Sequence, residues 1–60
     1  MDDVEIRGKL LVESAQMSVL FKTEDGTEVW LPREQIAIVH DVNCVVVTMP
    51  ERLAKAKGIY

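Results

Sequence analysis

Hydrophobic and polar residues alternate along most of this chain. In the stretch VEIRGKLLV, charged residues and Leu11 fill every second position. The positions between them are Val4, Ile6, Gly8, Leu10 and Val12. A period of two is typical of a β-strand that buries one face. A glycine on the buried face, Gly8, indicates a bend or bulge of the kind that a small barrel needs in order to close.

Two further alternating stretches flank an Asp-Gly dipeptide at positions 25–26. The first, AQMSVLFKT, places Met17, Val19 and Phe21 on one face, and the second, TEVWLP, alternates as well. Asp-Gly between two alternating segments is the strongest short-range signal for a β-hairpin, because glycine accepts a positive φ angle without steric cost. The pattern therefore predicts that these two strands pair with each other.

The segment EVWLPREQI contains the only tryptophan of the chain, Trp30. By alternation, Leu31 points into the core and Trp30 points to the opposite, outer face. Pro32 has no N–H to donate to a sheet, so the strand ends there or becomes an edge, and PREQ predicts a tight turn of 3₁₀ type. The segment is thus predicted to be a corner of the fold, and Trp30 to be covered by a helix, by a second subunit or by nothing.

Two β-rich segments, IAIVH and CVVVTM, follow and are joined by the turn DVN. The chain then changes character, because PERLAKAKG contains good helix formers. Thr48 followed by Glu51 matches a capping box, and Pro50 suits a first helical turn. Gly58 is placed to end the helix, and Ile59 to fold back on it.

These patterns predict strands at about 4–13, 15–23, 27–31, 36–40 and 44–48 and a helix at about 50–57. We expect one mainly β domain, a small, five-stranded, strongly bent antiparallel barrel with a short C-terminal helix. An SH3-like barrel is the first choice. An OB-fold is the second choice because it usually needs a longer chain.

Composition narrows the possible functions. The 60 residues contain one cysteine, Cys44, and one histidine, so neither an internal disulfide nor a four-ligand zinc site is expected. No cofactor is predicted. The start of the sequence is acidic and no long apolar run follows, so a secretory signal or a membrane span is not expected. We expect a cytoplasmic protein.

Charge is unevenly distributed. The net charge is −3, but residues 1–50 carry nine acidic and four basic side chains, whereas residues 51–60 carry one acidic and three basic ones. Since contacts to phosphates dominate the affinity of proteins for nucleic acids, an acidic sheet is a poor general polyanion binder.

The stretches EVWLPREQI and MPERLAKAKGI resemble a family of very small bacterial proteins, many of them encoded by phages and mobile elements. The family pattern runs roughly VWLPKSQI, a strand, then IPEWLAxEKGL, and it covers about half of this chain. Arg33 and Glu34 stand where the pattern has Lys and Ser, and Arg52 stands where it has a second tryptophan. The resemblance implies a small β-rich accessory protein, such as a regulator or inhibitor of a host machine. The matching positions are Trp30, Leu31, Pro32, Gln35, Ile36, Pro50, Leu53, Ala54, Lys57 and Gly58.

Three apolar residues interrupt the polar faces of their strands: Leu11, Leu20 and Val46. Together with Trp30 they predict a second apolar patch, outside the core. A small monomer seldom exposes such a patch without using it for association. We therefore expect a non-enzymatic protein-interaction module that self-associates or binds a larger protein, with Arg33 at the neighbouring corner as part of its surface.

Two other functions have weaker support in the sequence. Arg7, Lys9 and Lys22 on one outer face, with Trp30 or Leu20, could form a basic and aromatic platform for single-stranded nucleic acid. Glutamates on the same and neighbouring positions favour a merely solvated face. His40, Asp41 and Cys44 contain the residue types of a thiol nucleophile but fall around a predicted turn without further support, so catalysis is not expected.

Overall fold

The computed structural model describes residues 2–13 and 17–60. It shows five antiparallel strands and a short C-terminal helix, as predicted, and the strands form one sheet in the order β3-β2-β1-β5-β4. The described part of the chain contains no helix long and apolar enough to cross a membrane. The elements are β1 (Asp3–Val12), β2 (Ser18–Thr23), β3 (Glu28–Pro32), a 3₁₀ turn (Arg33–Gln35), β4 (Ala37–His40), β5 (Val45–Pro50) and α1 (Glu51–Ala56). The predicted start of the second strand, at residue 15, lies outside the described residues.

The sheet is open. Strands β3 and β4 form its two edges, and no pairing joins them within residues 2–13 and 17–60. The predicted barrel is therefore not confirmed, and the established architecture is a single antiparallel sheet that carries one helix.

Strand β1 belongs to two ladders and changes partner at Gly8. Its first half pairs with β5, up to Gly8 opposite Val45, and its second half pairs with β2, from Gly8 opposite Thr23. A Cβ atom on Gly8 would collide with the carbonyl oxygen of Lys22 and would lie 2.8 Å from Cζ of Phe21. The glycine is therefore needed because β2 comes so close at this point.

The core lies on the inner face of the sheet, and the alternation predicted most of it. Buried side chains of β2 and β3 meet buried side chains of β5 and α1 there. One prediction was wrong: Met17 is 72% exposed, because it precedes β2 and does not continue the alternation of that strand. The buried apolar residues are Val19, Phe21, Leu31, Val47, Met49 and Ala54.

The predicted hairpin at Asp25 and Gly26 is confirmed. The N–H of Gly26 donates to the carbonyl of Thr23 (3.0 Å), the N–H of Thr23 donates to the carbonyl of Thr27 (2.8 Å), and Gly26 has φ +93°. These are the features of a three-residue loop in which a type I turn is followed by a left-handed glycine.

Helix α1 begins without the predicted capping box. Thr48 lies in β5, opposite Glu5 and Ala37, and no side chain caps the helix at Pro50. The N–H of Glu51 instead donates to the carbonyl of Asp2 (3.0 Å), which ties the start of the helix to the start of β1.

The end of the helix follows the prediction. Gly58 has φ +75°, and its N–H donates to the carbonyl of Lys55 (3.1 Å). The N–H of Ile59 donates to the carbonyl of Ala54 (3.0 Å). This pair of hydrogen bonds is a Schellman motif. Ile59 and Leu53 both pack against the core, in agreement with the predicted return of the chain.

Candidate interaction surface

The outer face of the sheet is the side opposite the core, and α1 does not cover it. Ala54 of α1 belongs to the buried cluster on the inner face, and the helix packs against β5 and β1. Trp30 points the other way and is 48% exposed. Of the three possible covers for Trp30, the helix is thereby excluded.

Three of the predicted interaction residues lie side by side across neighbouring strands. Leu20 of β2 is directly opposite Trp30 of β3. On the other side, the register passes from Leu10 opposite Phe21 to Val12 opposite Leu20, so a bulge places Leu11 next to Leu20. Leu11 is 46% exposed. We call Leu11, Leu20 and Trp30 the Trp30 row.

The fourth predicted apolar residue, Val46, lies elsewhere on the outer face. It is opposite Arg7 on one side and Val39 on the other. Because β1 changes partner at Gly8, this set lies on the β1–β5–β4 part of the sheet and the Trp30 row on the β1–β2–β3 part. Val39, which is 57% exposed, was not singled out from the sequence. The signal was available, since Ile36 and Ile38 face the core and alternation sends Val39 outward.

The three basic residues among the predicted nucleic-acid contacts are only partly brought together. Strands β1 and β2 pair as expected, and Lys9 is directly opposite Lys22, whose other neighbour is Glu28. Arg7 lies two residues before Lys9 on the same strand but has Val46 as its cross-strand neighbour. Beside the two lysines is an open cleft of about 350 Å³, lined also by Thr23, Glu24, Asn43 and Cys44.

Arg33 holds the corner of the fold together. Its backbone N–H donates to the carbonyl of Met17 (3.0 Å), and its guanidinium donates to the carbonyl of Glu13. The side chain thereby fastens the 3₁₀ turn to the end of β1, which is a structural role for a residue predicted to face a partner.

His40, Asp41 and Cys44 line one open cleft but make separate contacts. The carboxylate of Asp41 accepts the N–H of Val42 (2.7 Å), and Nε2 of His40 lies 3.7 Å from Oε1 of Glu13. Cys44 is half-buried and accepts the N–H of Asp41 through its carbonyl (2.9 Å). No group of three metal-binding side chains occurs among the described residues.

Comparison of the chain with protein-family models, with curated proteins and with solved structures finds no match. The family resemblance of the segments around Trp30 and Pro50 therefore stays a prediction.

Proposed function

We propose that this protein is a non-enzymatic interaction module that self-associates and uses the outer face of its sheet as a contact surface. The observation that supports the proposal is the Trp30 row, because Leu11 and Trp30 are exposed, Leu20 between them is half-buried, and α1 packs on the opposite face. Tryptophan is enriched among the residues that contribute most to binding at protein interfaces.

The surroundings of the Trp30 row support the same proposal. The next cross-strand row along the sheet consists of Lys9, Lys22 and Glu28, which are exposed and of both signs. An apolar centre beside a polar and charged rim is the usual composition of a protein–protein interface. The outer face thus combines apolar area with charges that can fix the orientation of a second molecule.

Light scattering over a range of concentrations tests this proposal. We expect the wild-type mass to rise above the 6.8 kDa of a single chain with increasing concentration. A triple variant, Leu11→Ser, Trp30→Ser and Val39→Ser, removes the most exposed apolar side chains of the outer face and is expected to stay monomeric. The control is Val42→Ser with Tyr60→Ser, because these apolar residues are also exposed but lie in a turn and at the C-terminus. A wild-type protein that remains monomeric at every concentration would contradict the proposal.

Three finer points belong to this proposal. We propose that the open sheet is a variant of the small SH3-like barrel, since β1 bends into two ladders and a 3₁₀ turn joins the two edge strands. We place the protein in the cytoplasm, where a free thiol such as Cys44 stays reduced. The family resemblance extends the proposal to a phage or mobile-element regulator of a host machine, with the acidic surface facing a basic site.

A second function, binding of single-stranded nucleic acid, is favoured by one observation. Lys9 and Lys22 are directly opposite each other, although like charges in such positions are unfavourable, and they adjoin the Trp30 row. The two lysines could contact the phosphate backbone of a single strand while its bases stack on Trp30.

Fluorescence titration of Trp30 with a single-stranded oligonucleotide at low and high salt tests this alternative. Binding should weaken steeply with salt and should be lost in a Lys9→Gln, Lys22→Gln variant. A Lys55→Gln, Lys57→Gln variant also removes two positive charges, but at the end of α1, and it should retain oligonucleotide binding. If the fluorescence of Trp30 stays unchanged at low salt, the alternative is rejected.

A further inference from the structure

Strand β4 is an open edge whose outward backbone groups can be identified. The N–H of Asp41 donates to the carbonyl of Cys44, so these two residues form a hydrogen-bonded pair. Hydrogen-bonded and non-hydrogen-bonded pairs alternate along an antiparallel ladder. The backbone N–H and C=O groups of Val39 are therefore hydrogen-bonded to those of Val46. The N–H and C=O groups of Ile38 and His40 point away from β5. No other strand of the described chain pairs with this side of β4.

The β4 edge lacks two residue types that commonly prevent association of edge strands. Its sequence, AIVH, contains no lysine and no proline. The other edge differs. At the β3 edge, Thr23 and Thr27 form a hydrogen-bonded pair. Because such pairs alternate along the ladder, the backbone groups of Glu28, Trp30 and Pro32 point away from β2. At Pro32 a ring occupies the position of the outward N–H, which hinders another strand from pairing there.

We propose that two copies of this protein pair antiparallel along β4, with Val39 opposite Val39 of the second copy. The inference rests on the self-association proposed above and assigns it a location. In this register Ile38 and His40 of each copy exchange N–H···O=C hydrogen bonds with His40 and Ile38 of the other. The two five-stranded sheets then form one continuous sheet around a two-fold axis at Val39.

The side chains around β4 fit a second copy of the same chain. Val39 and Val46 already form a cross-strand pair, so the two-fold register creates an uninterrupted outer row of Val46, Val39, Val39 and Val46. This row covers a valine that is 57% exposed in the single chain. The charged groups are also compatible, because Asp41 falls opposite Ala37 and His40 falls opposite Ile38. No like charges face each other.

We call the contact between the two β4 strands the β4 seam. The Trp30 row takes no part in this contact. Trp30 lies on β3, the edge strand at the other end of the sheet, four positions from β4 in the strand order. The seam is short, because β4 has only four residues. We therefore expect a dimer that depends on concentration, with the Trp30 row still accessible to other contacts.

Light scattering on single-site variants tests the location of the seam. Val39→Lys introduces an edge lysine and is expected to reduce the mass to 6.8 kDa at concentrations where the wild type reaches twice that value. His40→Pro removes an outward N–H and should act in the same way, whereas His40→Ala keeps the N–H and should dimerise. Trp30→Ser should dimerise too. Circular dichroism establishes that each variant retains the β-sheet.

The outcomes separate this inference from the proposed function. If Trp30→Ser is monomeric while Val39→Lys and His40→Pro dimerise, self-association stands and the β4 seam is wrong. A mass of Trp30→Ser that grows beyond two copies also overturns the seam, since a two-fold contact closes at the dimer and this variant lacks the exposed tryptophan. A monomeric wild type overturns both proposals.

Disulfide trapping provides a second, positive test in a Cys44→Ser background. In the proposed register the two Val39 positions form a non-hydrogen-bonded pair with Cα atoms roughly 4.5 Å apart, which lies within the range for a disulfide. Val39→Cys should therefore cross-link two chains in a mild thiol–disulfide buffer. The matched control is Trp30→Cys, at a similarly exposed position of the other edge strand. Equal or greater cross-linking of Trp30→Cys would contradict the β4 seam.

Discussion

At the scale of single residues, Gly8 has the most constrained position in the sheet. It is the last residue of β1 that pairs with β5 and the first that pairs with β2. Its backbone does not require a positive φ angle, in contrast to Gly26 and Gly58. The constraint is steric, because the carbonyl of Lys22 and the ring of Phe21 occupy the space of a side chain.

We predict that Gly8→Ala destabilises the protein by about 3 kcal/mol, the upper part of the range for overpacked cores. The added methyl group must displace backbone at Lys22, and backbone yields less readily than a flexible side chain. Chemical denaturation followed by circular dichroism measures the change.

The control for this prediction is Gly26→Ala. Gly26 has a positive φ angle but open space around it, so alanine there should cost only about 1 kcal/mol of backbone strain. If the two variants lost equal stability, the steric explanation for Gly8 would be wrong.

Alternation predicted the orientation of most single residues but not their exposure at strand ends. It placed Leu31 inward and Trp30 outward, and both are confirmed. It failed for Met17, because a period of two says nothing about where a strand begins. Val39 was missed, although the alternation with Ile36 and Ile38 places it on the outer face.

At the scale of elements, the hairpin between β2 and β3 is held by side chains of its own loop. The hydroxyl of Thr23 donates to the carboxylate of Asp25, and the N–H of Thr27 donates to it as well (3.1 Å). These hydrogen bonds favour the ionised form and lower the pKa of Asp25 below its ordinary value of 3.8.

A depressed pKa makes the hairpin sensitive to acid. The contribution of Asp25 to stability is fully present above about pH 4, the pKa of an unfolded aspartate, and is lost as the pH falls through the lower, folded pKa. We predict that the wild type loses more thermal stability between pH 5 and pH 2 than Asp25→Asn does.

Melting temperatures across this pH range measure the difference. Glu24→Gln removes one negative charge from the same turn and should retain the acid sensitivity of the wild type. An Asp25→Asn protein with an unchanged pH profile would show that the loop hydrogen bonds do not stabilise the fold.

The start of helix α1 is where a prediction from the sequence, the capping box, was wrong. Thr48 and Glu51 have the spacing of a capping box, yet Thr48 pairs with Glu5 and Ala37 inside the sheet. Pairing of β5 with β4 continues to Thr48 and pairing with β1 continues to Pro50, so Thr48 cannot take the N-cap position. The Gly58 signal succeeded because a left-handed residue after a helix depends on local backbone geometry alone.

At the scale of the whole molecule, the sequence predicted the number of strands and the presence of a helix but not the closure of the sheet. Alternation specifies which face of a strand is buried, and it does not specify whether β3 and β4 meet. Alternation likewise does not specify which outward residues are neighbours on the surface. Leu11, Leu20, Trp30 and Val46 were all recognised as outward apolar residues, but only the register separates the Trp30 row from Val46 and Val39.

The double pairing of β1 also has a consequence for the order of folding. The β2–β3 and β4–β5 hairpins join residues close in sequence, whereas the β1–β5 ladder joins residues 37 to 47 positions apart. Closing so long a loop loses chain entropy before any contact compensates for it, and such contacts slow folding. During synthesis β1 leaves the ribosome first and β5 last among the strands. The first half of β1 must therefore wait, unpaired, until nearly all of the sheet exists.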